Sequence, residues 1–157
     1  MSLTFAMIKP DAMLSRQQGW ILSDILRAGF TIRAAREVSL IVNHVEALYA
    51  EHMKQPFWGE LRDFTMSGPV VLMALELEDA VVQWRRLIGD AFPSKAAHGT
   101  LRRRYGVGVP NNAVHGSADT DAAIRELYLF FPEIYYAQRC IEAARDSVGP
   151  SSKRSRE

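Results

Sequence analysis

The chain has 157 residues, 48% of them hydrophobic and 24% charged, with a formal net charge of +1 at pH 7. That is enough chain for one compact domain with a real core, and the near-neutral balance excludes a bulk field that would draw the molecule to nucleic acid or an anionic membrane. Cys140 is the single cysteine, which excludes an internal disulfide, argues against a thiolate metal site and suits a reducing compartment.

Leu3 to Ile8 is a short apolar run stopped by Lys9-Pro10-Asp11, the pattern of a buried strand. No basic stretch followed by a long apolar run precedes it, and no segment reaches the roughly 18 apolar residues that a bilayer span needs, so a cytoplasmic protein without a membrane partner is expected. From Gln17 to Gly29 the apolar residues Trp20, Ile21, Ile25 and Leu26 predict an amphipathic helix with Gly29 as its stop. Phe30 to Ile41 carries β-formers in partial alternation and predicts a second strand. Asn43 can cap a helix in which Val45, Leu48, Tyr49 and His52 share a face. Pro56 closes it, and Phe57 to Met66 suits another short helix. Ser67-Gly68-Pro69 turns the chain into Val70 to Leu75, the clearest strand, after which Asp79 caps a helix to about Ile88.

Gly89 to Gly116 shows little periodicity, and a loop this long inside a compact domain points to function or disorder. Asp119 or Thr120 then starts a helix with Ala123, Ile124, Leu127, Tyr128 and Phe131 on one side, broken by Pro132. A last helix is expected from Glu133 to about Val148. The order suits an α+β sheet with helices packed on one face. One domain is expected over residues 1–148, followed by a polar tail, 149–157, whose composition predicts disorder.

One histidine and three sets of cationic residues could carry chemistry. His115, preceded by Ala113-Val114 and followed by Gly116-Ser117, can be presented at a strand end, with Gly116 letting the backbone turn sharply beside it. Imidazole accepts a phosphoryl group because one nitrogen is unprotonated near neutral pH, and the resulting phosphoramidate can pass it on. From spacing alone, a histidine satisfied in a turn is the competing reading. Arg102, Arg103 and Arg104 precede it in the irregular segment. Arg85 borders the buried face of its helix, where it needs either an acid partner or phosphate oxygens. Lys9 ends the first strand, where a lone lysine is ordinarily solvated. No Gly-x-x-x-x-Gly-Lys-[Ser/Thr] or Gly-x-Gly-x-x-Gly cradle occurs, nor a His-Glu-x-x-His or Gly-x-Ser-x-Gly motif.

Six segments stand in order: Thr4-Phe5-Ala6-Met7-Ile8-Lys9-Pro10-Asp11-Ala12, Tyr49-Ala50-Glu51-His52, Pro56-Phe57-Trp58, Ser67-Gly68-Pro69-Val70-Val71, Gly99-Thr100-Leu101-Arg102 and Asn112-Ala113-Val114-His115-Gly116-Ser117. Together they resemble the nucleoside diphosphate kinase family over about residues 3–136. The resemblance implies a ferredoxin-like βαββαβ core, a four-stranded antiparallel sheet with helices packed over it and a long loop before the histidine. It implies ping-pong transfer of the γ-phosphate from a nucleoside triphosphate such as ATP to a nucleoside diphosphate. His115 would be the phosphorylated nucleophile, Glu126 the acid that orients it with Nδ1 free, and Ser117 the hydroxyl beside them. Lys9 and Asn112 would hold the sugar hydroxyls, and Tyr49, Arg85 and Arg102 would surround the terminal phosphates. Phe57 would plate the base with Leu61 and Val109 beside it, a contact tolerant of base identity because every base has a π-face. Mg²⁺ is implied, carried mainly by the nucleotide phosphates rather than by protein ligands, and a homo-oligomer, tetramer or hexamer, is implied as well.

The departures from the family pattern are local. Ala91-Phe92-Pro93 stands where Thr-Asn-Pro is common, so a hydroxyl donor is absent at Ala91; one hydrogen bond is worth about 0.5–1.5 kcal/mol, which predicts weaker nucleotide binding rather than a dead enzyme. Arg103-Arg104 stand where Gly-Asp is usual, with either compensation for Ala91 or a subunit contact as their reading. Asn111 replaces a frequent arginine, and Ala118 an aspartate for which Asp119 serves in part. The alternative to an active kinase is a nucleotide-binding or scaffold homologue with reduced turnover. A nucleic-acid module, suggested by the arginine run, is opposed by the near-neutral total and the absence of an aromatic-rich binding motif.

Overall fold

A computed structural model describes residues 1–147. The elements are β1 (Ser2–Ile8), α1 (Pro10–Leu14), α2 (Gln18–Arg27), β2 (Thr31–Val38), α3 (Val42–Leu48), a 3₁₀ turn (Ala50–His52), α4 (Trp58–Thr65), β3 (Val70–Leu77), α5 (Ala80–Ile88), α6 (Leu101–Tyr105), β4 (Val114–Gly116), α7 (Thr120–Phe130) and α8 (Pro132–Ser147). The strands form one sheet in the order β2-β3-β1-β4, every pair antiparallel. This is the expected βαββαβ arrangement, with α3 and α4 inserted between β2 and β3.

β1 pairs with a strand on each side, and Phe5, Ala6, Met7 and Ile8 are all fully buried. A strand covered on both faces needs no polar alternation, which is why it reads as an unbroken apolar run. Its side chains still point alternately. Ala6 and Ile8 pack with Ile21 and Ile25 of α2 and Trp84 and Ile88 of α5. Phe5 and Met7 pack on the other side with Val45 and Leu48 of α3, Leu61 of α4 and Leu127 and Phe130 of α7. Helices therefore cover both faces of the sheet, a correction to the single covered face expected from element order.

Several local expectations are also corrected. Trp20 is 65% exposed and Leu26 lies outside the core; the buried stripe of α2 is Ile21 and Ile25, one turn apart, with Leu22 packed partly against it. Asn43 lies inside α3, whose N-cap is Ile41 without a side-chain cap, and α3 ends at Leu48, so Tyr49 and His52 fall beyond it. Asp79 is at the N-cap of α5 in a left-handed conformation (φ 51°), where its carboxylate makes no cap hydrogen bond. The Gly89–Gly116 segment holds the five-residue α6 and the three-residue β4, both too short to show a period. On α7 the buried residues are Ala122, Ala123, Glu126, Leu127 and Phe130, while Ile124 and Tyr128 are exposed. Asp119 does cap this helix, accepting from the Ala122 amide at 2.8 Å. The last helix and Pro132 fall close to expectation. The domain boundary at 148 and the polar tail lie outside the described residues.

Candidate active site

β4 lies beside β1 with Met7 opposite His115 and Ile8 opposite Val114. Directly opposed residues of an antiparallel pair project to the same face, so His115 joins Phe5 and Met7 on the side covered by α3 and α7. Its ring centroid is 5.8 Å from that of Phe5 and 5.5 Å from that of Tyr49, the latter edge-to-face. The strand carrying it is braced from behind: the Trp84 indole N–H donates to the His115 carbonyl at 3.2 Å, and Arg102 donates twice to the Val114 carbonyl, at 3.0 and 3.3 Å.

The chain enters β4 through a tight turn. Ala113 has φ 71°, a left-handed value that costs an L-residue energy, and the Val114 amide donates back to the Asn112 carbonyl at 2.9 Å, closing a γ-turn. Two further bonds hold it: the Ala113 amide donates to Asp11 Oδ2 at 3.0 Å, and the Lys9 amide donates to the Ala113 carbonyl at 2.8 Å. Gly116 follows the histidine for a reason other than the sharp turn expected. A Cβ there would lie 2.5 Å from Trp84 Nε1, so close approach of β4 to α5 requires glycine.

His115 Nε2 lies 3.3 Å from Glu126 Oε1, and the Ser117 hydroxyl donates to Glu126 Oε2 at 2.5 Å. The carboxylate occupies both oxygens and accepts from two groups. With Nε2 turned to an acceptor, the neutral ring carries its proton there, leaving Nδ1 as the ring nitrogen able to attack. The two side chains keep only 13% and 11% of their surface exposed.

His115 opens on a cleft of about 840 Å³, also lined by Lys9, Tyr49, Phe57, Leu61, Arg85, Ala91, Arg102, Val109 and Glu126. Ten of the twelve residues singled out from sequence thus converge on one cavity. The other two act from behind its wall: Ser117 holds Glu126, and Asn112 accepts from Lys9 Nζ at 2.8 Å while donating to the Ala91 carbonyl at 2.9 Å. That last bond uses the Ala91 main chain, which the missing hydroxyl leaves intact.

The cations differ from the sequence picture. Lys9 is not a solvated strand-end lysine: it is 5% exposed and also donates to the Pro110 carbonyl at 3.2 Å. Burial, reinforced by the Arg102 guanidinium, brings its ammonium down from 10.5 to about 7, with Asp11 opposing the fall. Burial and the neighbouring Arg85 lower Arg102 to about 10, so it stays charged at neutral pH. Asp11 is raised by burial. Tyr49 is held well above its ordinary value by burial and by the Glu126 carboxylate, with Arg102 and Thr65 opposing the rise. Arg85 is exposed rather than bordering the core, and it meets the Ser117 carbonyl at 3.4 Å instead of an acid. Arg103 and Arg104 lie on α6 pointing away from the cleft. Arg103 donates to the Ser94 carbonyl at 3.0 Å and Arg104 to Asp24 at 2.6 Å.

Sequence reasoning did not single out Asp11, Lys95 or Arg125. Asp11 has a signal, an acid in the first turn of a helix opened by Pro10. Lys95 and Arg125 line the cleft but give no sign of it in sequence.

Comparison with known proteins identifies relatives of this chain in sequence and fold. The family model described as nucleoside diphosphate kinase matches residues 2–136. The chain is 46% identical over 128 residues to a nucleoside diphosphate kinase of Bdellovibrio bacteriovorus, covering 82% of this chain and 91% of that protein. Its fold is similar to the crystal structure of the Encephalitozoon cuniculi enzyme, with TM-score 0.83, 32% identity and coverage of 90% and 99% of the two chains. A Halobacterium salinarum nucleoside diphosphate kinase solved in complex with CDP gives TM-score 0.80 and 36% identity, covering 83% and 87%.

Proposed function

This chain belongs to the nucleoside diphosphate kinase family, and from that premise we propose which of its own residues carry the reaction. The enzyme transfers the γ-phosphate of a nucleoside triphosphate to a nucleoside diphosphate by a ping-pong route through a phosphohistidine. His115 is the nucleophile: Nδ1 attacks the γ-phosphorus in line with the leaving diphosphate oxygen, the P–O bond breaks, and a second nucleoside diphosphate takes the phosphoryl group in the reverse step. The observation that carries this reading is the Nε2 contact to Glu126, itself steadied by Ser117, beside a cleft rich in cations.

Fixed cations stabilise the charge that spreads over the equatorial oxygens of the transferring group. Arg85 and Arg102 are suited to the phosphates, with the Tyr49 ring packed edge-to-face against His115 beside them. Lys9, held by Asn112, is suited to the sugar hydroxyls. Phe57, 47% exposed, plates the base, with Leu61 and Val109 beside it. Mg²⁺ would be carried mainly by the nucleotide phosphates, which Arg85 and Arg102 face in the cleft. When bound, that ion neutralises phosphate charge.

The reading extends to a cytoplasmic homo-oligomer, tetramer or hexamer. Trp20 and Leu14 are large apolar side chains left open on the single chain, which suits a covered surface in an assembly; light scattering on the purified protein gives the subunit number. No helix of the described residues is long and apolar enough to cross a membrane.

The test is labelling from γ-labelled ATP. The label is expected to be acid-labile and base-stable, to pass to an added nucleoside diphosphate, and to be absent in His115→Ala. Label that survives this substitution removes His115 from the role.

A further inference from the structure

The lip formed by residues 89–96 is fixed at several points. Asp90 Oδ1 accepts from the Phe92 amide at 2.8 Å, and the Phe92 carbonyl accepts from the Lys95 and Ala96 amides at 2.9 and 3.1 Å. The Ala91 carbonyl is tied to Asn112 at 2.9 Å, and Arg103 reaches the carbonyls of Pro93 and Ser94 at 3.4 and 3.0 Å. Pro93 and Ala96 turn inward, while Ala91, Phe92 and Lys95 line the cleft. The Lys95 ammonium sits 4.8 Å from the centroid of the Phe92 ring, which is itself 51% exposed.

The other cleft cations all have oxygen partners. Lys9 bonds Asn112 and the Pro110 carbonyl, Arg85 the Ser117 carbonyl, Arg102 the Gly89 and Val114 carbonyls, and Arg125 pairs with Glu51. Among the described residues Lys95 has no oxygen partner. It keeps three donors unspent, and an aromatic face limits the space its long side chain samples. Ala91 presents only a methyl group on the same lip. A polyphosphate entering toward His115 meets Lys95 as the one cleft cation, among the described residues, whose donors are all unspent.

We propose that Lys95, steadied on the Phe92 ring, is a phosphate-binding residue of this cleft, contacting the terminal phosphates of the nucleoside tri- or diphosphate. The assignment rests on the His115 reading and adds to it a donor on the lip where Ala91 has none. Arg103 then has a part as well: it stays out of the cleft and braces the loop that holds Lys95 in place.

The experiment follows phosphohistidine formation in a single turnover as a function of ATP concentration, which separates the apparent affinity from the limiting rate. Lys95→Gln is expected to weaken apparent affinity roughly three- to tenfold, the range of a partly screened charge-assisted hydrogen bond, with the limiting rate within about twofold, since the chemistry at His115 is untouched. Phe92→Leu removes the ring but keeps the charge, and is expected to show a smaller loss of the same kind. Lys54→Gln, an exposed lysine outside the cleft, is the control and is expected to match the parent. Affinity in the parent is expected to fall more steeply with salt than in Lys95→Gln. A Lys95→Gln enzyme that matches Lys54→Gln in affinity overturns the assignment, and so does one whose limiting rate falls while its affinity holds. Either leaves the His115 reading standing, because that reading fails only if the parent takes no label or His115→Ala keeps it.

Discussion

Replacing Glu126 with glutamine isolates the charge behind the histidine. Glutamine has nearly the same shape, and its amide oxygen can still accept from His115 Nε2 across the present 3.3 Å. The NH₂ group then faces Ser117, whose hydroxyl must give up a 2.5 Å bond to the carboxylate and turn toward the Phe5 carbonyl, 3.5 Å away. Two charge-assisted bonds become one neutral bond and one long one. A hydrogen bond to a charged group is worth about 1.5–3 kcal/mol against about 0.5–1.5 for a neutral pair, so the ring loses roughly 1–2 kcal/mol of the support that grows as it becomes positive in the transition state. At about 1.4 kcal/mol per factor of ten, the first phosphorylation step slows roughly 5- to 30-fold. Glu126 also lines the cleft, but its oxygens are turned to His115 and Ser117, so nucleotide affinity should change little. A quenched-flow measurement of phosphohistidine formation at saturating ATP reads this directly. An unchanged limiting rate in Glu126→Gln, or a larger loss in Ser117→Ala than in Glu126→Gln, would refute the reasoning, since Ser117 acts only through the carboxylate.

Three further outcomes follow from buried groups. Lys9 has a native value of about 7 against its ordinary 10.5, so between those pH values the unfolded chain holds a proton that the native protein has released, and native stability rises with pH across that window. The stability difference between the parent and Lys9→Met should therefore shift in favour of the parent between about pH 7 and pH 10, measured by urea unfolding at several pH values; parallel curves would contradict the buried ammonium. Thr4 is fully buried and its hydroxyl has no partner, so the isosteric Thr4→Val should raise stability by about 1 kcal/mol, read as an increase in unfolding midpoint at unchanged slope, and a loss of stability would mean that the hydroxyl is satisfied. In Gly116→Ala the new methyl meets Trp84 Nε1 at 2.5 Å and Ile88 Cδ1 at 3.0 Å, both from side chains with no room to retreat. The variant should lose about 2–3 kcal/mol and most of its activity together, because β4 carries His115; calorimetry and the transfer assay check the pair.

What could be read from residues alone was decided by how local each signal is. β1 was legible because a central strand buried on both faces is apolar throughout, and β3 for the same reason. The face of α2 was misjudged because Trp20 is large and apolar, and a hydrophobic count cannot distinguish a core residue from one left on the surface. β4 has three residues; its existence depends on β1 lying alongside, which no window of sequence contains. The same holds for Lys9. Its burial comes from Pro110 and Asn112, a hundred residues away in the chain, and only the closed γ-turn at Ala113 brings them together. Glu126 and Ser117 were found through the family pattern and not through spacing. Arg103 shows the reverse failure: its charge suggested a cleft residue, whereas the geometry of α6 directs it onto the Pro93–Ser94 carbonyls.

The positive groups of the cleft are arranged against one another. Arg85 lowers Arg102, and Arg102 in turn lowers Lys9, each on top of its own burial. Asp11 opposes the last of these, yet it is itself pushed upward by burial and leaves one buried carboxylate oxygen unbonded. A fold selected only for stability would remove this repulsion, and a neutral side chain at position 9 would already remove the part between Arg102 and Lys9. The arrangement suits a cleft that binds a polyanion. Its phosphates would supply the negative charge that Arg102 and Lys9 lack, turning mutual repulsion into shared attraction at no cost of reorganisation, because the backbone carbonyls of Gly89, Val114 and Pro110 already hold the cations in place. The mutual repulsion of Lys9, Arg85 and Arg102 and the attraction they offer to a nucleotide's phosphates are on this view one electrostatic quantity, set by their positions.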